Sequence, residues 1–393
     1  MKIFYVLTKF PAPSETFAAN DVRALKNAGI DVHVFSQRRR DANHYKMVEE
    51  RGLRGVNIET GGLREVLGGL MAMAFHPYLF YCLLFRLIFK ELDKPRHLVK
   101  LLALLPVSFF IFLKISKQRP DIVHLFWGHY PSLVGYLIIK SGLKSKLTIF
   151  LGAYDLQMKL SLSQWVANRC SCVFTHSFSN VSDIKSIGVA EKNIAVIHRG
   201  VDITRLEKGW SWVHSEKTNQ IVTASRLIGS KRIDKVIDLL PLLQNYKLNV
   251  FGDGPDFKKL VNYCQSLGIS DRVNFLGHVN QRDLFHNLKK ARLFILLSEK
   301  LGERLPNVVK EAMLAGCLCV VSHTPGIDEL IVHKNNGIVL TNTDSENVFY
   351  ELNKLNNAQV QSIAFKARKT IKKKFDVDVL IREYIAVWIS IIE

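Results

Sequence analysis

The amino-acid sequence predicts an α/β protein made of two successive doubly wound domains with parallel sheets. Short apolar runs alternate with segments of helical period along most of the chain, and strands that alternate with helices form parallel sheets covered on both faces. This alternation lapses once, between residues 197 and 220. The length of 393 residues exceeds one ordinary core, since a domain averages roughly 150 residues. With 48% hydrophobic and 23% charged residues, the composition is that of a folded protein rather than a disordered one.

The first strand, KIFYVL (2–7), runs into the loop FPAPSETF. The longer apolar core of a secretory signal is missing there, so the chain is expected to stay in the cytoplasm. DVHVFS (31–36), DIVHLFW (121–127), KLTIFLG (146–152) and CVFTHS (172–177) supply further strands of an N-terminal domain, residues 1–200. Near 60–118 this domain carries an apolar insertion. No charged residue occurs from Val66 to Phe85, a length close to that of a helix crossing a hydrocarbon core of ~30 Å. Gly68, Gly69, His76 and Pro77 would weaken one continuous helix there. A second run, Leu101 to Leu113, is too short to span. Arg86, Lys90, Lys94, Arg96, Lys100, Lys114 and Lys117 flank both runs, as in helices that lie in the headgroup layer of an anionic leaflet. Buried helices, contact with one membrane face and a true span all stay open at this point.

QIVTAS (220–225), KLNVFG (247–252), RVNFLG (272–277), LFILLS (293–298), CLCVVS (317–322) and GIVL (337–340) repeat the rhythm in a C-terminal domain, 201–375. The closing segment, 376–393, reads as a separate helix that packs back on the N-terminal domain, and the position of Asp376 suits a helix cap better than a metal-binding DxD. A GxGxxG after the first strand is lacking, which argues against an ordinary NAD enzyme. Cys170 with Cys172 and Cys317 with Cys319 form CxC pairs, the pattern of small buried hydrophobes on strands rather than of a zinc site. Neither a structural metal nor disulfides are expected. The net charge of +19 implies an anionic partner: nucleic acid, a phosphorylated substrate or an acidic membrane face.

The chemistry concentrates in SEKLGERLPNVVKEAMLAGCLCVVS (298–322). Pro306 suits the first turn of a helix and Gly316 its end, so Glu303 lies on the entering loop and Glu311 within the helix. LFILLS brings that loop to the carboxyl edge of the sheet, where open α/β sheets bind ligands. Helix-start N–H groups receive phosphate oxygens, and carboxylates accept hydrogen bonds from hydroxyls. The combination asks for a sugar attached to a nucleoside diphosphate. In SRLIGSKRIDKVIDLL, Arg226 lies just past a strand, with Lys231 and Arg232 at the next helix start. Cations there oppose the helix dipole unless an anion lies between them. In FGDGPDF, Gly252 and Gly254 allow backbone to approach a ligand closely.

In order, SRLIGSK, VFGDGP, VNFLGHV and GERLPNVVKEAMLAG resemble the second domain of the family 4 retaining glycosyltransferases. FPAPSETF, DIVHLFWGHYP, GAYDL and VIHRGVD extend the resemblance to the first domain, and the opening is similar to that of bacterial exopolysaccharide and colanic-acid enzymes. The resemblance implies a GT-B fold of two facing Rossmann-like domains and retention of anomeric configuration. It implies diphosphate-binding roles for Arg226 and Lys231, a grip on donor-sugar hydroxyls for Glu303, and a grip on the ribose for Glu311. Arg304, Leu305, Pro306 and Asn307 match the loop around the transferred sugar, and the His278–Val279 backbone should lie near the base. Asp155, together with Glu303, is a catalytic candidate by the same match. Ser14, Glu15, Thr16, His129 and Tyr154 are acceptor-side candidates.

Arg304 stands where the family usually has glycine, and Tyr154 where it has histidine; Arg304 either favours an acidic donor sugar or acceptor or points to solvent. Asp155 and the PSET stretch also read as plain helix caps. The expected function is a nucleotide-sugar-dependent glycosyltransferase, with a UDP-sugar as donor and no cofactor. The expected acceptor is a polyprenyl-diphosphate-linked glycan for a surface or exopolysaccharide, met at the anionic inner face of the cell membrane by a peripheral protein. A soluble GT-B enzyme, such as a sugar-nucleotide epimerase or a glycogen-synthase-like transferase, would leave the apolar insertion without purpose. A nucleic-acid-binding protein would account for the charge, but basic residues interleaved with exposed aromatics are not evident, and no nucleic acid is expected as partner.

Overall fold

Two all-parallel sheets organise the chain in the computed structural model, which describes residues 1–12, 16–212, 217–299 and 302–393. They belong to two compact units, one of Met1–Gly200 with Val377–Glu393 and one of Val201–Asp376. In the first unit the strands are β1 (Lys2–Leu7), β2 (Asp31–Ser36), β3 (Asn57–Thr60), β4 (Ile122–Phe126), β5 (Lys146–Phe150), β6 (Cys172–Thr175) and β7 (Ile194–Val196). Their spatial order is β3-β2-β1-β4-β5-β6-β7, with Ile3 opposite both Val32 and Ile122. Chain order therefore reverses between β1 and β4, and the loops at their carboxyl ends flank a crevice. Every residue of β4 is buried, as a strand covered on both faces requires. The closing helix, Val377–Ile392, lies on this unit, with Trp388 fully buried beside Tyr5, His124 and Phe174.

The second unit holds β8 (Thr218–Ala224), β9 (Lys247–Phe251), β10 (Val273–Gly277), β11 (Ala291–Leu296), β12 (Leu318–Ser322) and β13 (Ile338–Leu340) in the order β10-β9-β8-β11-β12-β13. Its switch point lies between β8 and β11. Cys317 and Cys319 are buried, Cys319 on β12.

The apolar insertion forms three helices, Leu63–Phe75, Pro77–Glu91 and Pro95–Gln118. Val66 to Phe85 is no continuous helix: the chain breaks at His76–Pro77, and the two helices meet at 103°. Gly68 and Gly69 do not break the first of them. A Cβ on Gly69 would lie 1.7 Å from the carbonyl oxygen of Pro106, so glycine is what lets the backbones of the first and third helices touch. The Leu101–Leu113 run sits inside a helix of 24 residues, about 36 Å at 1.5 Å per residue and so long enough to cross a bilayer. The sequence expectation of a run too short to span counted only its apolar middle. Ten residues of that helix are buried within the unit, among them Leu101, Leu105, Phe109 and Phe112. Leu67, Met71, Phe75, Tyr78, Tyr81, Phe85 and Phe89 on the other two helices are exposed.

Candidate active site

In the second unit the loops after β8 and β11 bring a lysine and a glutamate together. Lys231 ends a single 3-10 turn, Gly229–Lys231, and is only 8% exposed. Its Nζ forms an ion pair with Oε1 of Glu303. The other oxygen, Oε2, is buried and has no hydrogen-bond partner among the described residues. A buried carboxylate oxygen without a donor costs free energy, and such atoms concentrate where a ligand supplies the missing bond. Arg226 is exposed at the end of β8 and forms no ion pair among the described residues. Arg232, read from sequence as a neighbouring anion-facing cation, is instead engaged by Asp234 and Glu299.

The Glu303 loop closes on Leu305, a buried leucine in the left-handed region at φ 46°. That conformation costs on the order of 1–2 kcal/mol, and it sets Pro306 immediately before the Asn307–Leu314 helix. Arg304 is half-buried. Lys310, fully buried, donates to Asn307 Oδ1 at 3.2 Å. Glu311 is 5% exposed and accepts from Gln281 Nε2 at 2.6 Å. Burial pushes its carboxyl up to about 7, with the Gln281 bond and the Lys310 charge opposing. A carboxyl kept on a helix against such a penalty is a candidate for function.

Gly252 and Gly254 have a local reason that spacing did not reveal. A Cβ at Gly252 would meet the Ser225 carbonyl oxygen at 1.9 Å, and one at Gly254 the Leu227 oxygen at 2.2 Å. Glycine lets the loop after β9 press against the loop carrying Arg226. The His278 N–H donates to Asp253 Oδ2 at 3.1 Å. The His278 side chain is exposed, while Val279 packs on the core.

In the first unit Asp155 is buried and ties its own helix start to the loop after β4. Its Oδ1 accepts from the Gly128 N–H at 2.9 Å and faces His129 Nδ1 at 2.9 Å, while Oδ2 accepts from the Gly152 N–H at 3.0 Å. The carboxylate thus caps its own short helix and fixes the loop after β4, where Trp127 also takes a positive φ of 79°. Placed this way, Asp155 orients His129 rather than presenting a free carboxylate. Tyr154 is 57% exposed, its ring 6.5 Å from that of His129. Thr16 begins the Thr16–Asn27 helix; Ser14 and Glu15 lie outside the described residues.

One feature of this unit was missed from sequence. At the carboxyl ends of β1, β2 and β3, a cavity of about 420 Å³ is lined by Lys9, Arg38, Arg39, Arg40 and Asp41 together with the apolar Val66, Leu104 and Val107. Lys9 pairs with Asp41. Arg38 stacks over Tyr130, and Arg40 donates to Thr60 and Tyr45. The run QRRRD directly after the second strand was the available signal, since loops at that edge carry ligands.

A family model described as Glycosyl transferases group 1 matches residues 205–374, and one described as Glycosyltransferase Family 4 matches residues 14–205. The N-acetyl-alpha-D-glucosaminyl L-malate synthase of Bacillus anthracis is 24% identical over 297 residues, covering 70% of this chain and 76% of that one. The putative colanic acid biosynthesis glycosyltransferase WcaL of Salmonella typhimurium is 22% identical over an alignment of 411 positions that covers 98% of each chain. In structure the chain is similar to Anabaena Alr3699/HepE in complex with UDP, with a TM-score of 0.73, 18% identity and coverage of 99% of this chain and 100% of that one.

Proposed function

Because the chain belongs to the glycosyltransferases and has the GT-B fold, we propose that it moves a sugar from a nucleoside-diphosphate donor to a lipid-linked glycan in surface or exopolysaccharide biosynthesis. The observation that carries this is the Glu303 carboxylate, neutralised by Lys231 on one oxygen and lacking a donor on the other. A sugar hydroxyl is the donor that such an oxygen accepts. Glu311 grips the ribose. Arg226, Lys231 and the start of the Asn307–Leu314 helix hold the diphosphate, stabilising its charge as it leaves. UDP bound to Alr3699/HepE supports a UDP-sugar as the donor, with no further cofactor.

In the proposed reaction the bond from the anomeric carbon to the diphosphate oxygen breaks. The acceptor oxygen bonds to the same face, and its proton passes to the departing diphosphate, so configuration is retained. On the acceptor side, Asp155 holds His129 with Nδ1 inward and leaves Nε2 to meet the acceptor beside Tyr154. The arginine-lined cavity, with its apolar lining residues Val66, Leu104 and Val107, suits the diphosphate and first isoprene units of a polyprenyl carrier. The exposed apolar residues of the insertion and their basic flanks suit peripheral attachment to the inner face of the membrane.

Thermal shift with UDP-, GDP- and ADP-sugars tests the donor. UDP-sugars should stabilise the wild type and fail to stabilise Glu303→Gln, whose unliganded melting should fall because the buried Lys231 loses its counter-charge. Equal stabilisation of the two proteins by every donor would remove Glu303 from the site.

A further inference from the structure

Between the helices Pro77–Glu91, Ser132–Ser141 and Ser161–Ala167 lies a second cavity of about 540 Å³, well away in sequence from the arginine run. Tyr81, Phe85, Phe89 and Trp165 wall it, Arg86, Lys90 and Lys140 edge it, and no acidic residue lines it. Cations crowd one indole of its wall: the Arg86 guanidinium lies 5.2 Å from the Trp165 ring and Lys140 Nζ 6.0 Å, and Arg169, outside the lining, lies 4.6 Å away. Among the described residues none of these three has an ion-pair partner, and neither has Lys90. Arg86 is half-buried. Its Nη2 reaches Ser161 at 3.3 Å, while its Nε is buried without a partner among the described residues. Burial holds the Arg86 pKa below its ordinary value, and the Arg169 charge lowers it further, with Tyr136 and Glu91 opposing. Cation–π contact offsets only part of the repulsion among like charges in a partly desolvated site; a bound anion would offset the rest.

The walls say which kind of anion. Tyr81, Phe85 and Phe89 of the lining continue a stripe that starts at Tyr78 on the same helix, with residues three or four apart, and all four are exposed. A small hydrated anion gains nothing from such a stripe. An acyl chain joined to a phosphate matches both halves of the cavity. We infer that the cavity binds an anionic phospholipid of the bilayer, with its phosphate between Arg86, Lys90 and Lys140 and one acyl chain along Phe85, Phe89 and Trp165. The inference rests on the membrane attachment proposed above and adds to it a discrete lipid site.

Dihexanoylphosphatidylglycerol, kept below its micellar concentration, tests the site without a membrane. It should change the tryptophan fluorescence of the full chain saturably, and Trp165→Phe should abolish the signal. Lys90→Glu combined with Lys140→Glu should weaken binding at least tenfold; both side chains are exposed, so the fold should tolerate the change. Arg86→Gln should weaken binding similarly. Dihexanoylphosphatidylcholine should bind at least tenfold more weakly than the glycerol lipid. A titration that does not saturate, that ignores these substitutions, or that inorganic phosphate reproduces at equal concentration overturns the lipid site. Flotation on phosphatidylglycerol vesicles reads the attachment separately. Wild-type flotation with an insensitive titration overturns the lipid site alone, and a wild type that never floats overturns the attachment itself.

Discussion

Replacing Glu311 by glutamine should make the protein more stable at alkaline pH and at the same time unable to hold its donor. Burial raises the carboxyl from its ordinary 4.5 to about 7 in the folded chain. Between those values the folded state keeps a proton that the unfolded chain has released. Stability from this group is therefore fully present below about pH 4.5 and is lost as pH rises through 7. The loss approaches about 3 kcal/mol, at 1.36 kcal/mol per unit of pKa difference. Glutamine has the same shape, keeps an oxygen for the Gln281 N–H and does not ionise. At pH 8.5 Glu311→Gln should unfold at a urea concentration higher by on the order of 1 M, while at pH 4.5 the two midpoints should coincide. Isothermal titration with a UDP-sugar should show the wild type binding more tightly as pH rises from 5 to 7 and levelling above, with the variant weak and flat. Equal urea midpoints at pH 8.5 would show that ionised Glu311 carries no burial cost. Wild-type affinity in the variant would remove its carboxylate from the donor site.

Gly69→Ala should lower the stability of the helical insertion by about 3 kcal/mol or more, because its Cβ meets Pro106 backbone rather than a side chain that can move; limited proteolysis between residues 60 and 118 matching the wild type would refute the close crossing. Arg226→Ala and Lys231→Ala should each weaken a UDP-sugar by about 1.5 to 3 kcal/mol and uridine much less, measured by calorimetry, and equal losses for both ligands would point to misfolding instead of lost phosphate contacts. Asp155→Asn should lower kcat while leaving the donor KM within a few-fold of wild type, since Asp155 acts through His129; an unchanged kcat would reduce Asp155 to a helix cap.

The eleven strands legible as apolar runs lie in the middle of the sheets or have a buried face. β3 and β7 were not legible, and both are edge strands of the first sheet with no fully buried residue. An edge strand has one neighbour and partial cover, so selection for apolar side chains there is weak. The candidate site divides in the same way. That Arg226 and Glu303 stand at strand carboxyl ends follows from chain order, and sequence contains chain order. That Lys231 meets Glu303, or Asp155 meets Gly128, depends on groups from separate loops, and no local pattern encodes such meetings, whereas the bond from Gly152 to Asp155 is the local cap that the sequence suggests.

The glycines make the same point more sharply. Gly68 with Gly69 read as a weakness in a helix, and Gly252 with Gly254 as room for a ligand, yet Gly69, Gly252 and Gly254 make room for another stretch of the protein's own backbone and Gly68 for the Phe110 ring. A glycine records that something comes close, and only the fold says what. For Gly252 and Gly254 the consequence still reaches the site, because the backbone they admit is Ser225 to Leu227, which carries Arg226. Any side chain at either position would displace that loop, so loss of diphosphate binding in such a variant would report a moved arginine rather than a lost glycine contact. The Arg226→Ala measurement supplies the reference: a Gly254→Ala variant whose loss is no larger than that of Arg226→Ala, and not additive with it, acts through the arginine.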